Sequence, residues 1–149
     1  MAMVLPLLVV MQILRALTWP GAHRTAEQRV FRAPDEFRQA WEADGGTAAT
    51  LPGVDFEKEM VLAVFAGEKR TGGHAIRIEQ VALGGTEADP VVCVLYRQTA
   101  PPPNAMVIQV LTHPAHAVVV KKVSGAVKFL DIASAEGAQL DRQLKTRTP

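Results

Sequence analysis

A chain of 149 residues with 48% hydrophobic content is long enough to be one domain, residues 1–149, with a core that needs no disulfide or metal staple. Its 16 Lys and Arg against 15 Asp and Glu leave a net charge of +1, so no field of one sign gathers nucleic acid or anionic lipid, and nucleic-acid binding is disfavoured. The single cysteine, Cys93, lies within Val91-Val92-Cys93-Val94-Leu95 and reads as a buried small hydrophobe with no internal bridge.

The first ten residues are apolar almost throughout, but no Lys or Arg precedes them and the first basic residue is Arg15. A secretory leader wants its positive charge in front, and the run is too short to cross a bilayer. Val4 to Val10, continuing through Met11 to Trp19, therefore reads as an extended structural segment with no membrane span, and the compartment stays open, cytoplasmic included. Pro20-Gly21 marks a turn, and Glu27 to Phe31 a short second strand. The spacing then predicts one helix over about residues 34–44: Pro34 suits the first position, Asp35 and Glu36 complement the positive helix end, and Phe37, Ala40 and Trp41 form an apolar stripe that Gly45-Gly46 terminates. The stripe reads as core.

From Val54 onward turn residues separate short strands. Val61 to Ala66 and Ala75 to Val81, joined through Gly72-Gly73, are expected to pair as an antiparallel hairpin whose tip carries Lys69, Arg70 and His74, with Gly72 or Gly73 at positive φ. Gly84-Gly85, Asp89-Pro90 and Pro101-Pro102-Pro103-Asn104 break the chain again. Further strands are expected at Met106 to Leu111, Ala117 to Val123 and Val127 to Asp131. Strands at this spacing, with loops too short for crossover helices, predict a mainly β fold: an antiparallel β-sandwich or open barrel with one short helix. The last stretch, residues 133–149, is compatible with a short helix or a tail.

No catalytic set emerges. His113 and His116 sit three apart, which in extended chain directs them to opposite faces, and no further cysteine or carboxylate completes a metal set. Ser124 and Ser134 lie outside any Gly-x-Ser-x-Gly elbow. Asp55, Glu57 and Glu59 would share one face of a strand, yet Phe56, Lys58 and Met60 do not supply the apolar wrapping that separates the pKa values of an acid–base pair. The glycines of residues 67–73 lack the ending of a phosphate-binding loop and read as turn chemistry.

Leu51-Pro52, Val54-Asp55-Phe56, Val61 to Val64, Gly67, Lys69, Thr71-Gly72-Gly73, Ile76, Ile78, Thr112, Pro114, His116 and Val118 to Lys121, in this order, resemble the PrcB C-terminal domain family. Pro34 to Trp41 resembles the helical segment that precedes this block, so the resemblance spans roughly residues 13–123. It implies a bacterial, non-enzymatic protein-binding domain, often exported or envelope-associated, that associates with or modulates a peptidase, without a cofactor. The partner-binding residues it implies are Lys69, Arg70, Thr71, Gly72, Gly73 and His74, with Thr112, His113, Pro114 and His116. The family pattern has an aromatic residue where this chain has His74, and often a tyrosine where it has Ala115, so a particular partner does not carry over. Two other classes stay in view: a small-ligand-binding sandwich with a pocket near Trp41 and Phe65, and a hydrolase built on His74, His113 or His116 with Asp55.

Overall fold

The computed structural model describes residues 8–147, so the leading apolar residues before Leu8 lie outside it. The strands are β1 (Val9–Met11), β2 (Ile13–Leu17), β3 (Ala26–Phe31), β4 (Glu59–Ala66), β5 (Ala75–Gly85), β6 (Pro90–Thr99), β7 (Ala115–Lys121) and β8 (Ala126–Asp131). The helices are α1 (Pro34–Ala43) and α2 (Ala135–Arg147). Two four-stranded sheets form, in the orders β1-β5-β6-β8 and β2-β7-β4-β3. The mainly β sandwich expected from the sequence is the fold; among the described residues its one departure from antiparallel pairing is β6 beside β8, which run parallel.

The layers follow from alternation along each strand. In β4, Met60, Leu62, Val64 and Ala66 point into the space between the sheets, while Val61, Ala63 and Phe65 point outward under α1. Both faces are covered, which is why β4 reads as a continuous apolar run. In β5 the apolar positions switch from Ile76 and Ile78 to Val81 and Leu83, and the irregularity between Ile78 and Gln80 keeps both halves on the inner face. On the outer side of the β1-β5-β6-β8 sheet, Leu140 and Leu144 of α2 pack on Ala82, Leu95 and Leu130. Two helices thus flank the sandwich, where one was expected, and the C-terminal stretch is resolved in favour of helix.

α1 has the predicted start: Pro34 occupies the first turn with Asp35 and Glu36, and no side chain caps its N-terminus. Phe37, Ala40 and Trp41 are buried, and Gly45, at φ +97°, ends the helix. Trp19 is the hub of the layer below, with ring centroids 5.2 Å from Trp41, 5.3 Å from Phe65 and 5.7 Å from Phe31.

Three expectations are corrected. The hairpin between Val61–Ala66 and Ala75–Val81 does not form, because β4 pairs with β3 and β7 while β5 pairs with β1 and β6 in the other sheet. Residues 67–74 therefore cross between sheets instead of reversing within one. The strand expected at Met106 to Leu111 is absent, and those residues belong to an irregular connection between β6 and β7. The first extended segment divides at Gln12 into β1 and β2, one in each sheet.

Candidate functional site

The residues singled out from the sequence gather at one end of the sandwich, where β4 finishes and β7 begins. Phe65 faces Ala115 in the last pair of that ladder. The connections beyond it stay joined: the Ala66 N–H donates to the Pro114 carbonyl at 3.0 Å, and Lys69 and Thr112 exchange two backbone bonds at 2.8 Å each. Farther out, the Gly72 N–H donates to the Ile108 carbonyl at 2.9 Å, and the Thr112 hydroxyl donates to the Thr71 carbonyl at 2.9 Å. Two loops distant in sequence, 67–74 and 100–114, are thereby one surface feature.

The glycine pair divides its duties. Gly73 has φ +87°, whereas Gly72 is not among the glycines at positive φ. A Cβ on Gly73 would lie 3.0 Å from the Pro101 Cβ and 3.2 Å from a Val107 methyl, so the chain there is both turned and closely approached.

The charged groups are unevenly engaged. His113 bridges two loops, with Nε2 3.0 Å from Glu68 and Nδ1 3.0 Å from the Gly21 carbonyl, and the Arg24 guanidinium lies 3.9 Å from Glu68. Arg70 is exposed and Lys69 half-buried, and neither has an ion-pair partner among the described residues. His74 is half-buried, with no hydrogen bond to its ring among the described residues.

His116 faces the other way from His113. It shares its side of β7 with Val118 and Val120, which line the space between the sheets. There the Ile78 N–H of the opposite sheet donates to its Nδ1 at 2.9 Å. Burial, with a smaller contribution from Arg77 and against that of Glu79, pushes the imidazole below its ordinary value. An imidazole whose Nδ1 accepts must carry its proton on Nε2. Its task in the isolated molecule is to tie one sheet to the other.

Asp55 lies at the far end of β4, since Glu59 pairs with Lys121 and Phe65 with Ala115. At about 3.3 Å per residue that strand separates Asp55 from His113 and His116 by roughly 20 Å. Asp55 and Glu59 do not share a strand face: the Asp55 carboxylate accepts the Glu57 N–H at 3.1 Å, and Glu59 accepts from Arg15 at 2.9 Å. That guanidinium holds the Glu59 carboxyl below its usual range. The space between Trp41 and Phe65 is occupied by the Trp19 ring packed against both. A cleft of about 500 Å³ lies instead between Arg32, Lys122, Asp55 and Glu57 at the start of α1.

Two groups of residues were not anticipated. Met106, Ile108, Val110 and Leu111 are exposed at 101%, 74%, 49% and 57%. Their alternation with Val107 and Gln109 is the signal that suggests a strand; the neighbouring proline run, and a main-chain partner among the described residues at Ile108 alone, leave it an apolar loop. The second group is centred on the buried Asp44. Asp44 accepts from Trp19 Nε1 at 2.8 Å and sits 2.7 Å from His23 Nδ1, while His23 Nε2 is 3.0 Å from Glu27. No local motif marks it, since its members come from a turn, a strand and the end of α1.

The PrcB C-terminal family model matches residues 60–121. That segment runs from β4 to the end of β7 and contains both loops of the surface just described. It is narrower than the resemblance read from the sequence, leaving α1 outside. No curated protein and no solved structure matches the chain.

Proposed function

With residues 60–121 placed in the PrcB C-terminal family, we propose that this chain is a non-enzymatic domain that binds a protein partner, a peptidase in the reading the family name favours, through loops 67–74 and 100–114. The observation that carries this reading is the joining of those loops into one exposed surface inside the matched segment. Main-chain bonds hold the surface, so Arg70 and the apolar side chains of 106–111 remain available. Apolar groups rimmed by charge are what a protein interface needs, and a sheet-mounted surface loses little entropy on binding. Among the described residues no helix is long and apolar enough to cross a membrane.

Affinity capture from a bacterial lysate, repeated with purified candidate peptidases, tests the reading. Arg70→Ala combined with His74→Ala should weaken capture about tenfold, the loss of one or two good interface contacts, with an unchanged circular dichroism spectrum. Full affinity in that variant would show that the tip is not the contact surface. Hydrolysis of substrate by the purified chain would remove the non-enzymatic part of the proposal.

A further inference from the structure

The loop surface has an unfilled edge. The Ile108 carbonyl points at the Gly72 N–H, and with no cis peptide among the described residues the next N–H, that of Gln109, points the opposite way. It finds no backbone partner among the described residues. Beside it the side chains alternate: Met106 and Ile108 are 101% and 74% exposed, and Val107 between them turns toward Gly73. A free backbone donor next to alternating apolar side chains has the chemistry of a strand edge that lacks its neighbour.

The surrounding charge selects the occupant. Glu68 is committed to His113 and Arg24, whereas Arg70 and Lys69 hold no carboxylate among the described residues. Isologous pairing of two copies through this edge would bring the same basic residues together, so a second copy is the wrong complement.

We propose that residues 106–109 take an extended segment of the protein partner by strand addition, a segment of alternating apolar residues whose flanking carboxylate meets Arg70 and Lys69. Main-chain bonds through Gln109 give the affinity, and side chains against Met106 and Ile108 give the selectivity. This rests on the partner-binding reading and specifies its mode.

The test uses the full chain and two synthetic peptides, Asp-Val-Thr-Val-Thr-Val-Asp and its counterpart with Lys at both ends, titrated by fluorescence anisotropy. The acidic peptide should bind about tenfold more tightly than the basic one. Gln109→Pro removes the outward N–H and, compared with Gln109→Ala as the control for the lost side chain, should weaken binding about tenfold at an unchanged melting temperature. N-methylation of the peptide's central valine, measured on the unaltered protein, should do the same. Binding indifferent to both changes, equal binding of the two peptides, binding of neither, or a concentration-dependent dimer that Gln109→Pro abolishes would each overturn strand addition. Partner capture lost in the Arg70/His74 double variant but kept in Gln109→Pro would sink strand addition and leave the partner reading standing; capture unchanged in both would sink both.

Discussion

The α1 face and the loop end of the sandwich are held by different forces. Under α1, Trp19, Phe31, Phe37, Trp41 and Phe65 stack and edge against one another, and the polar atoms among them are paired, Trp19 with Asp44 and Trp41 with Thr50. At the loop end, main-chain bonds of Gly72 and Lys69 with residues 108 and 112 fix the geometry while Met106 and Ile108 stay in water. Burial gives the first region its stability and commits its aromatic side chains to one another. Backbone pairing gives the second region its shape and leaves the side chains of Met106 and Ile108 in water. The two regions meet on β4, where Phe65 belongs to the aromatic layer and the next residue, Ala66, makes the first main-chain bond of the loop end.

Trp41→Ala is the severest way to break this comparison. It deletes a ring that packs on both Trp19 and Phe37 and the donor to Thr50, and should cost about 3–5 kcal/mol in chemical denaturation. A loss under about 1 kcal/mol would put the α1 face on the same footing as the loops.

The glycine pair sharpens the other side. Gly73→Val places a branched side chain at φ +87° against Pro101 and Val107 and should cost about 1–2 kcal/mol or more. At Gly72, where the nearest atom to an added Cβ is 3.9 Å away, the same change should stay within about 0.5 kcal/mol. Equal melting temperatures for the two variants would mean that the 67–74 turn does not depend on a left-handed residue.

The smallest effect concerns His116, at the boundary of the two regions. Its folded pKa is depressed by burial first and Arg77 second, with Glu79 opposing, so its contribution to stability is complete above the ordinary value near 6.5. That contribution is lost as pH falls toward the folded value, because a proton on Nδ1 displaces the Ile78 N–H. Thermal melts between about pH 7.5 and 5 should show wild type losing more stability than His116→Gln, the difference isolating this group from the other histidines. Parallel curves would mean that His116 does not couple the sheets.

Much of the fold was legible in the chain because it is written in local periodicity. α1 announced itself through Pro34, the acidic first turn and the Phe37–Trp41 stripe, and the strands through alternation between turn residues. Met106 to Leu111 shows where that signal fails. Alternation states that a segment can be extended, not that a neighbour exists to pair with it, and among the described residues a main-chain partner reaches that segment only at Ile108. The candidate surface was half legible. Lys69 to His74 and Thr112 to His116 are recognisable as two motifs, but their bonding to each other, and the inward turn of His116 toward Ile78, are contacts between remote residues.

By itself the sequence determined the strand-rich class, the first helix, the positive-φ requirement within the Gly72-Gly73 pair and the near-neutral net charge, all properties of residues close together in the chain or of their sum. Tertiary structure alone decided which strands are neighbours. β4 and β5, consecutive and joined by a glycine turn, enter different sheets because β4 has apolar residues on both faces and is stable only as an interior strand between β3 and β7. Pairing across a sheet depends on the burial available to every strand at once, and no window of sequence contains that quantity.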